Sequence, residues 1–384
     1  MNRRAALASL LVAGTVLGAG CGSASRQPAA TAVPARPPSL ATALVTTTGT
    51  WAVAVMGGSA AGHNNFWQLF VRPTATGKWR LATPPGVASN GGLVLTSPGA
   101  GSVVAGFRPS QNLSYSPLAT SRDNGTAWTP GLLDAALADV PDALAAAPGG
   151  GHLLALLAGG QAELSGPGGT GWGKLASRRT LAASPAGRRC GLGGLTAVAF
   201  RPSGVPLLAA SCTHPGTAGI FGYASGTWQL AGPTLPATYA HQDISVLRLT
   251  TTAGTTTALL AAGAGSAAHL LAAWSTGGAA HWTLSPPLPL HGAKLTSASS
   301  GPGGNVAAVL TGNHAQAITG PAGAWHPLPA LPPGTATLAP GPAGGWDALA
   351  VHGARLAIWR LPHGGAAWAV TQAISVPVAF GSSG

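Results

Sequence analysis

One tryptophan keeps returning in this chain. Trp79, Trp128, Trp172, Trp228, Trp282, Trp325 and Trp368 each follow a turn rich in Gly, Ser or Thr, at intervals of 43 to 56 residues. Self-similarity on that length scale marks a fold built from stacked units, because one small sheet cannot bury its own apolar face and needs the next copy to cover it. Within a unit, short apolar runs alternate with tight turns, as in Leu195 to Phe200, the turn Arg201-Pro202-Ser203-Gly204, then Val205 to Ala210. That pattern predicts antiparallel hairpins.

Composition agrees with many short strands joined by turns: 58 Gly and 33 Pro stand beside only 7% charged residues. The predicted fold is all-β, a seven-bladed β-propeller with four-stranded antiparallel blades over residues 40–384, with six or eight blades left open by the uneven spacing. Trp51 and Trp346 stand at the start of second strands and add no further blade. Ile374 to Phe380 is a further strand candidate beside the N-terminal one.

The clearest unit is Ser121-Arg122-Asp123-Asn124-Gly125-Thr126-Ala127-Trp128. It resembles the Asp-box, Ser-x-Asp-x-Gly-x-x-Trp, of the BNR-repeat or sialidase-like propellers. Ser165 to Trp172 keeps Ser, Gly and Trp in frame, and Ser275 to Trp282 keeps Ser and Trp. In such a box Asp binds backbone N–H groups of its own turn, Gly supplies a positive φ and Trp packs between sheets, so Ser121, Asp123, Gly125 and Trp128 are structural. The resemblance implies that the box lies between third and fourth strands, and that the functional face is the opposite one, where inter-blade links and second-to-third-strand turns meet.

Residues 1–20 are predicted to be a signal peptide: Arg3 and Arg4 precede an apolar stretch too short to span a bilayer comfortably. Cys21 after Leu17-Gly18-Ala19-Gly20 resembles a bacterial lipoprotein lipidation site, although Gly18 stands where that pattern has Leu; secretion after a small-residue cleavage site is the alternative. Residues 21–39, rich in Pro, Ser and Ala, are predicted to be a disordered tether. The expected location is the outer face of the cytoplasmic membrane. Cys190 and Cys212 then remain as an even pair in an oxidising compartment, and a disulfide is expected between them.

The strongest candidate binding feature is Arg178, Arg179, Arg188 and Arg189 in the link that the disulfide would pin, since guanidinium groups suit carboxylates and phosphates. Arg108, Tyr115, Tyr239, His241 and Asp243 are candidates on the same face, accompanied by His63, Asn64, Asn65, Lys294 and His314. A formal charge of +12 favours anionic partners. No aromatic-and-basic motif for nucleic acid is present.

Catalytic signatures are sparse. Sialidases of this fold use a Tyr–Glu pair and an arginine cluster, whereas Glu163 is the sole glutamate here and has no Tyr near it in sequence. A glycosidase needs two facing carboxylates, and Asp139 with Asp142 is the pair the sequence leaves open. Metal-ligand spacings and cofactor motifs are absent, so neither metal nor cofactor is expected. The resulting expectation is a monomeric, non-catalytic envelope lipoprotein that recognises a protein, peptide or anionic glycan. A divergent sialidase-like glycoside hydrolase is the alternative.

Overall fold

The computed structural model describes residues 40–57, 65–84, 92–99, 101–107, 118–130, 141–276, 281–321 and 323–376. The signal and tether with Cys21, and the binding candidates Arg108, Tyr115, His63 and Asn64, lie outside them, as does Asp139.

Strands dominate, in successive four-strand runs over residues 43–81, 93–130, 141–177, 192–230, 244–284, 295–327 and 335–375. They are called runs 1 to 7 in chain order, and within each the strands pair antiparallel with their sequence neighbours. Five runs are separate sheets, whereas runs 4 and 5 share one nine-stranded sheet. The junction is two residue pairs, Ser211 with Ser245 and Cys212 with Ile244. Register shifts after Leu192 and after Leu195 interrupt the first strand of run 4, which still pairs Leu192 with Cys212 and Gly194 with Ser211. This corrects the expectation of uniformly separate sheets.

Apolar side chains collect between consecutive runs, not within them. Trp51, Val53 and Leu69 meet Leu93, Val103 and Phe107 between runs 1 and 2. Leu154, Leu156 and Ala162 meet Val198, Phe200 and Leu208 between runs 3 and 4. The pattern repeats to Val309 and Ala317 against Leu338 and Ala348 between runs 6 and 7. A last cluster joins run 7 to run 1 through Leu349, Leu356 and Ile358 on one side and Ala54, Met56 and Phe70 on the other. The runs therefore form a closed cycle, and burial at its interfaces is the main stabilising term.

Every repeat tryptophan sits at the start of a fourth strand and packs into the interface with the preceding run. In four of them the indole N–H reaches back to a carbonyl at the end of the preceding run: Trp128 to Ala82 at 3.0 Å, Trp282 to Ala231 at 2.8 Å, Trp325 to Pro286 at 3.1 Å and Trp368 to Pro329 at 3.2 Å. Trp172 Nε1 is buried without a partner among the described residues, so the constant contribution is the large apolar area of the ring.

Trp79 meets a different acceptor, because its preceding neighbour is run 7. Its Nε1 donates to Asp347 Oδ2 at 2.8 Å. The buried Asp347 also binds Arg72 and receives Arg360 Nε at 2.8 Å. Arg72 lies over the Trp79 ring, 5.4 Å from its centroid, and donates to Pro340 O at 2.9 Å. The Gln372 carboxamide brackets the Trp79 backbone, accepting from its N and donating to its O. The final strand, Ala369–Ser375, pairs only with Arg355–Leu361 among the described strands, so the expected strand beside the N-terminal one is not formed by Ile374.

Candidate binding rim

Inter-run links and second-to-third-strand turns are tied together along one edge of the cycle. Arg178 N donates to Gly160 O at 2.7 Å, Thr213 N to Gly191 O at 2.9 Å, and Gly263 N to Asp243 O at 3.0 Å. Thr311 N to Lys294 O, and Val351 N to Gly334 O, both at 2.8 Å, repeat the arrangement in runs 6 and 7. These bonds satisfy backbone groups that loops would otherwise leave to water, and they hold the links in place.

The link between runs 3 and 4 is not an extended loop but two short helices, α1 (Arg178–Ala183) and α2 (Pro185–Cys190). Ser177 caps α1 in a reciprocal capping box with Thr180. Ser184 caps α2, Pro185 occupies its first turn, and Gly191 ends it in the left-handed conformation with φ 60°. Each is a local signal for helix start or stop. Leu181, Ala186 and Cys190 anchor the pair in the core below.

The expected disulfide is present between Cys190 and Cys212, with Cα atoms 4.9 Å apart. It fastens the end of α2 to the second strand of run 4. The four arginines divide into two kinds. Arg178 Nη1 donates to Gly193 O at 3.1 Å, and Arg188 Nη1 donates to Ala183 O, so these two guanidinium groups brace the helical pair. Arg179, Arg188 and Arg189 are exposed, and Arg178 is half-buried.

Of the other described candidates, His241 and Asp243 are exposed, but Tyr239 is not. It is buried with Ile220 and Ile244 between runs 4 and 5, where burial also pushes its phenol pKa up. Apolar packing of the ring outweighs its polar tip, and Tyr239 leaves the list of surface contacts. Lys294 and His314 are exposed on the same rim.

The rim also holds a cavity of about 370 Å³ where runs 1, 6 and 7 meet, lined by Ala41, Val55, Trp67, Thr296, Asn313 and Thr335 among others. Asn313 has φ 64°, and its Nδ2 donates to Leu331 O at 2.6 Å. Sequence reasoning did not find this cavity. Its one signal was Trp67, a tryptophan out of frame with the repeat.

Three of the described carboxylates are engaged within the fold. Asp123 and Asp347 are held in the turn of run 2 and in the closing ion cluster. Glu163 is buried beside Gln161, whose Nε2 donates to it. Asp142 lies on the strand Pro141–Ala146, not in the link before it as expected. Among the described residues no group of three His, Cys, Asp or Glu is arranged to hold a metal ion.

The segment Ser121 to Trp128 lies on the opposite edge, between the third and fourth strands of run 2. Ser121 Oγ accepts from Gly125 N at 2.7 Å, and Asp123 Oδ1 accepts from Thr126 N and Ala127 N, each at 3.0 Å. Trp51 meets the Trp128 ring edge-on at 6.0 Å.

No protein-family model matches the chain, and no curated protein matches it. Solved structures do. A protein from Lactobacillus plantarum superposes with a TM-score of 0.55 at 9% identity, covering 86% of this chain and 97% of that one. The GH74 xyloglucanase from Xanthomonas campestris superposes with a TM-score of 0.51 at 13% identity; 85% of this chain is covered, but only 52% of the enzyme. YCF48 bound to a D1 peptide matches with a TM-score of 0.47 at 14% identity over 75% of this chain and 83% of that chain. The neighbours are β-propeller-like proteins, which defines the class: a nearly all-β chain of four-stranded antiparallel sheets with a propeller-like fold.

Proposed function

We propose that this chain is a seven-bladed propeller of the Asp-box type, exported through residues 1–20, lipidated at Cys21 and held to the outer face of the cytoplasmic membrane by a tether over residues 21–39. Each run is one blade, and the two-residue junction between runs 4 and 5 is a local bridge between two of them. The rim carrying the inter-blade links binds a protein, peptide or glycan bearing anionic groups, without catalysis. Support for a binding role comes from the α1–α2 link. Its backbone is fixed by two helix caps, a disulfide and the carbonyl bonds of Arg178 and Arg188, and it presents Arg179 and Arg189 to solvent beside the exposed Arg188. A rigid display loses little conformational entropy on binding.

The test is a crosslinked pull-down from intact cells, comparing native protein with an Arg179→Ala/Arg189→Ala variant. A defined protein or polymer recovered with the native chain and lost with the variant supports the reading. Equal recovery overturns it and moves attention to the cavity beside Trp67. The mass of the mature N-terminus decides lipidation separately.

A further inference from the structure

First strands of most consecutive runs touch one another and surround the centre of the cycle. Ahead of its own first strand, the chain reaches past run 7 to run 6. Ala41 forms a parallel bridge with Ser297, Ser297 Oγ donates to Ala41 O at 2.9 Å, and Ala43 N donates to Ser299 Oγ at 3.1 Å. Thr42, between these anchors, accepts a hydrogen bond from Arg248 Nη2 on the first strand of run 5.

That hydroxyl is the only partner of Arg248 among the described residues. Among the described residues its Nε is buried with no acceptor and it forms no ion pair, while the side chain as a whole is half-buried. Burial lowers its pKa to about 10, which still leaves the group a cation at neutral pH. An arginine cannot escape desolvation by shedding its proton, and a partly desolvated charge without a counter-charge is costly. Hydroxyl groups accompany it. Thr250, two residues along the same strand, donates to Ser300 at 3.4 Å. Ser300 acts as the acceptor in that bond, which leaves its own proton for another partner.

We infer that Arg248 holds a small free oxyanion of the phosphate or sulfate class at the centre of the ring, with the Ser300 hydroxyl of run 6 as a neighbouring donor. The planar guanidinium suits two oxygens of such an ion at once. The site joins run 5, run 6 and the N-terminal segment, so an occupying anion ties the start of the chain to the far side of the cycle. It uses none of the rim arginines, and the two proposals stand or fall apart.

Calorimetric titration of the purified mature chain with inorganic phosphate tests this, in a buffer otherwise free of oxyanions and at constant ionic strength set with chloride. Saturable binding at one ion per chain is expected, together with a thermal midpoint that rises with phosphate more than with chloride. Arg248→Met is expected to bind at least tenfold more weakly and to lose that thermal response, while Arg179→Ala/Arg189→Ala retains both. Should Arg248→Met fail to fold, Arg248→Lys keeps the charge, loses the planar fork and is expected to weaken binding by a similar factor. The inference is overturned by unsaturable binding, by equal affinity in the native and Arg248 variants, or by affinity that disappears with Arg179 and Arg189.

Discussion

Trp79 Nε1 donates to Asp347 Oδ2 at 2.8 Å, and this bond joins the first run to the last. At four other interfaces the repeat indole finds a backbone carbonyl at the end of the preceding run. At the closing interface a buried carboxylate takes that place and gathers Arg72 and Arg360 as well. Among the described residues each run is made from a single continuous stretch of chain, and the closing interface between runs 7 and 1 is held by side chains.

Asp347→Ala is therefore expected to destabilise the fold by about 3 to 5 kcal/mol, because it strands the buried Arg72 and leaves the Trp79 indole without an acceptor. Urea unfolding measures this directly. Arg72→Met combined with Asp347→Leu is expected to recover most of the loss, since an apolar pair needs no counter-charge. A loss under about 1 kcal/mol in Asp347→Ala would show that the cluster does not close the ring.

The repeat itself was legible in the sequence because the interface tryptophan is the largest side chain in each unit and cannot be replaced cheaply. Its seven positions marked seven fourth strands. The disulfide was equally legible from cysteine parity and strand order. Arg178 and Arg188, by contrast, look identical to Arg179 and Arg189 in sequence; only the fold shows which guanidinium groups are spent on carbonyls. Helices α1 and α2 had visible cap signals in Ser177, Ser184 and Pro185, masked by the expectation of a loop. Arg248 and Asp347 gave no local signal, because their partners lie 206 and 275 residues away.

Reduction of Cys190–Cys212 is expected to lower stability by about 3 kcal/mol, from a loop of 22 residues released in the unfolded chain. Locally the effect should be larger, since the bond pins α2 to run 4. Limited trypsin digestion, with and without reductant, is expected to cut after Arg179 and Arg189 much faster in the reduced protein. Unchanged cleavage kinetics would mean that the helix caps and the buried Leu181 hold the segment without the disulfide.

Gly125 has φ 79°, and a β-carbon placed there meets Ala82 Cβ at 2.8 Å and the Trp51 ring at 3.1 Å. Gly125→Ala therefore combines backbone strain with a clash against run 1. A cost of about 1 to 3 kcal/mol is expected. Gly77→Ala is the control, because its φ is also positive at 63° but nothing lies within 4 Å. Equal losses in the two variants would assign the whole effect to backbone conformation and none to the contact with the neighbouring run.

The Asp123 carboxylate is held below its usual range first by the Ala127 N–H; desolvation opposes this, and the Ser121 hydroxyl, the Thr126 N–H and its own N–H add to the lowering. A depressed pKa means that folding favours the ionised form. The turn's contribution is then fully present above the unfolded-state value near 3.8 and is lost as pH falls through the lower folded value. Asp123→Asn keeps one acceptor oxygen but does not titrate. Its stability deficit relative to the native chain is expected to be largest at neutral pH and to shrink below pH 3.8. Denaturant midpoints for both proteins across the acid range check this, and a deficit that stays constant with pH would show that ionisation of Asp123 contributes nothing to closing the turn.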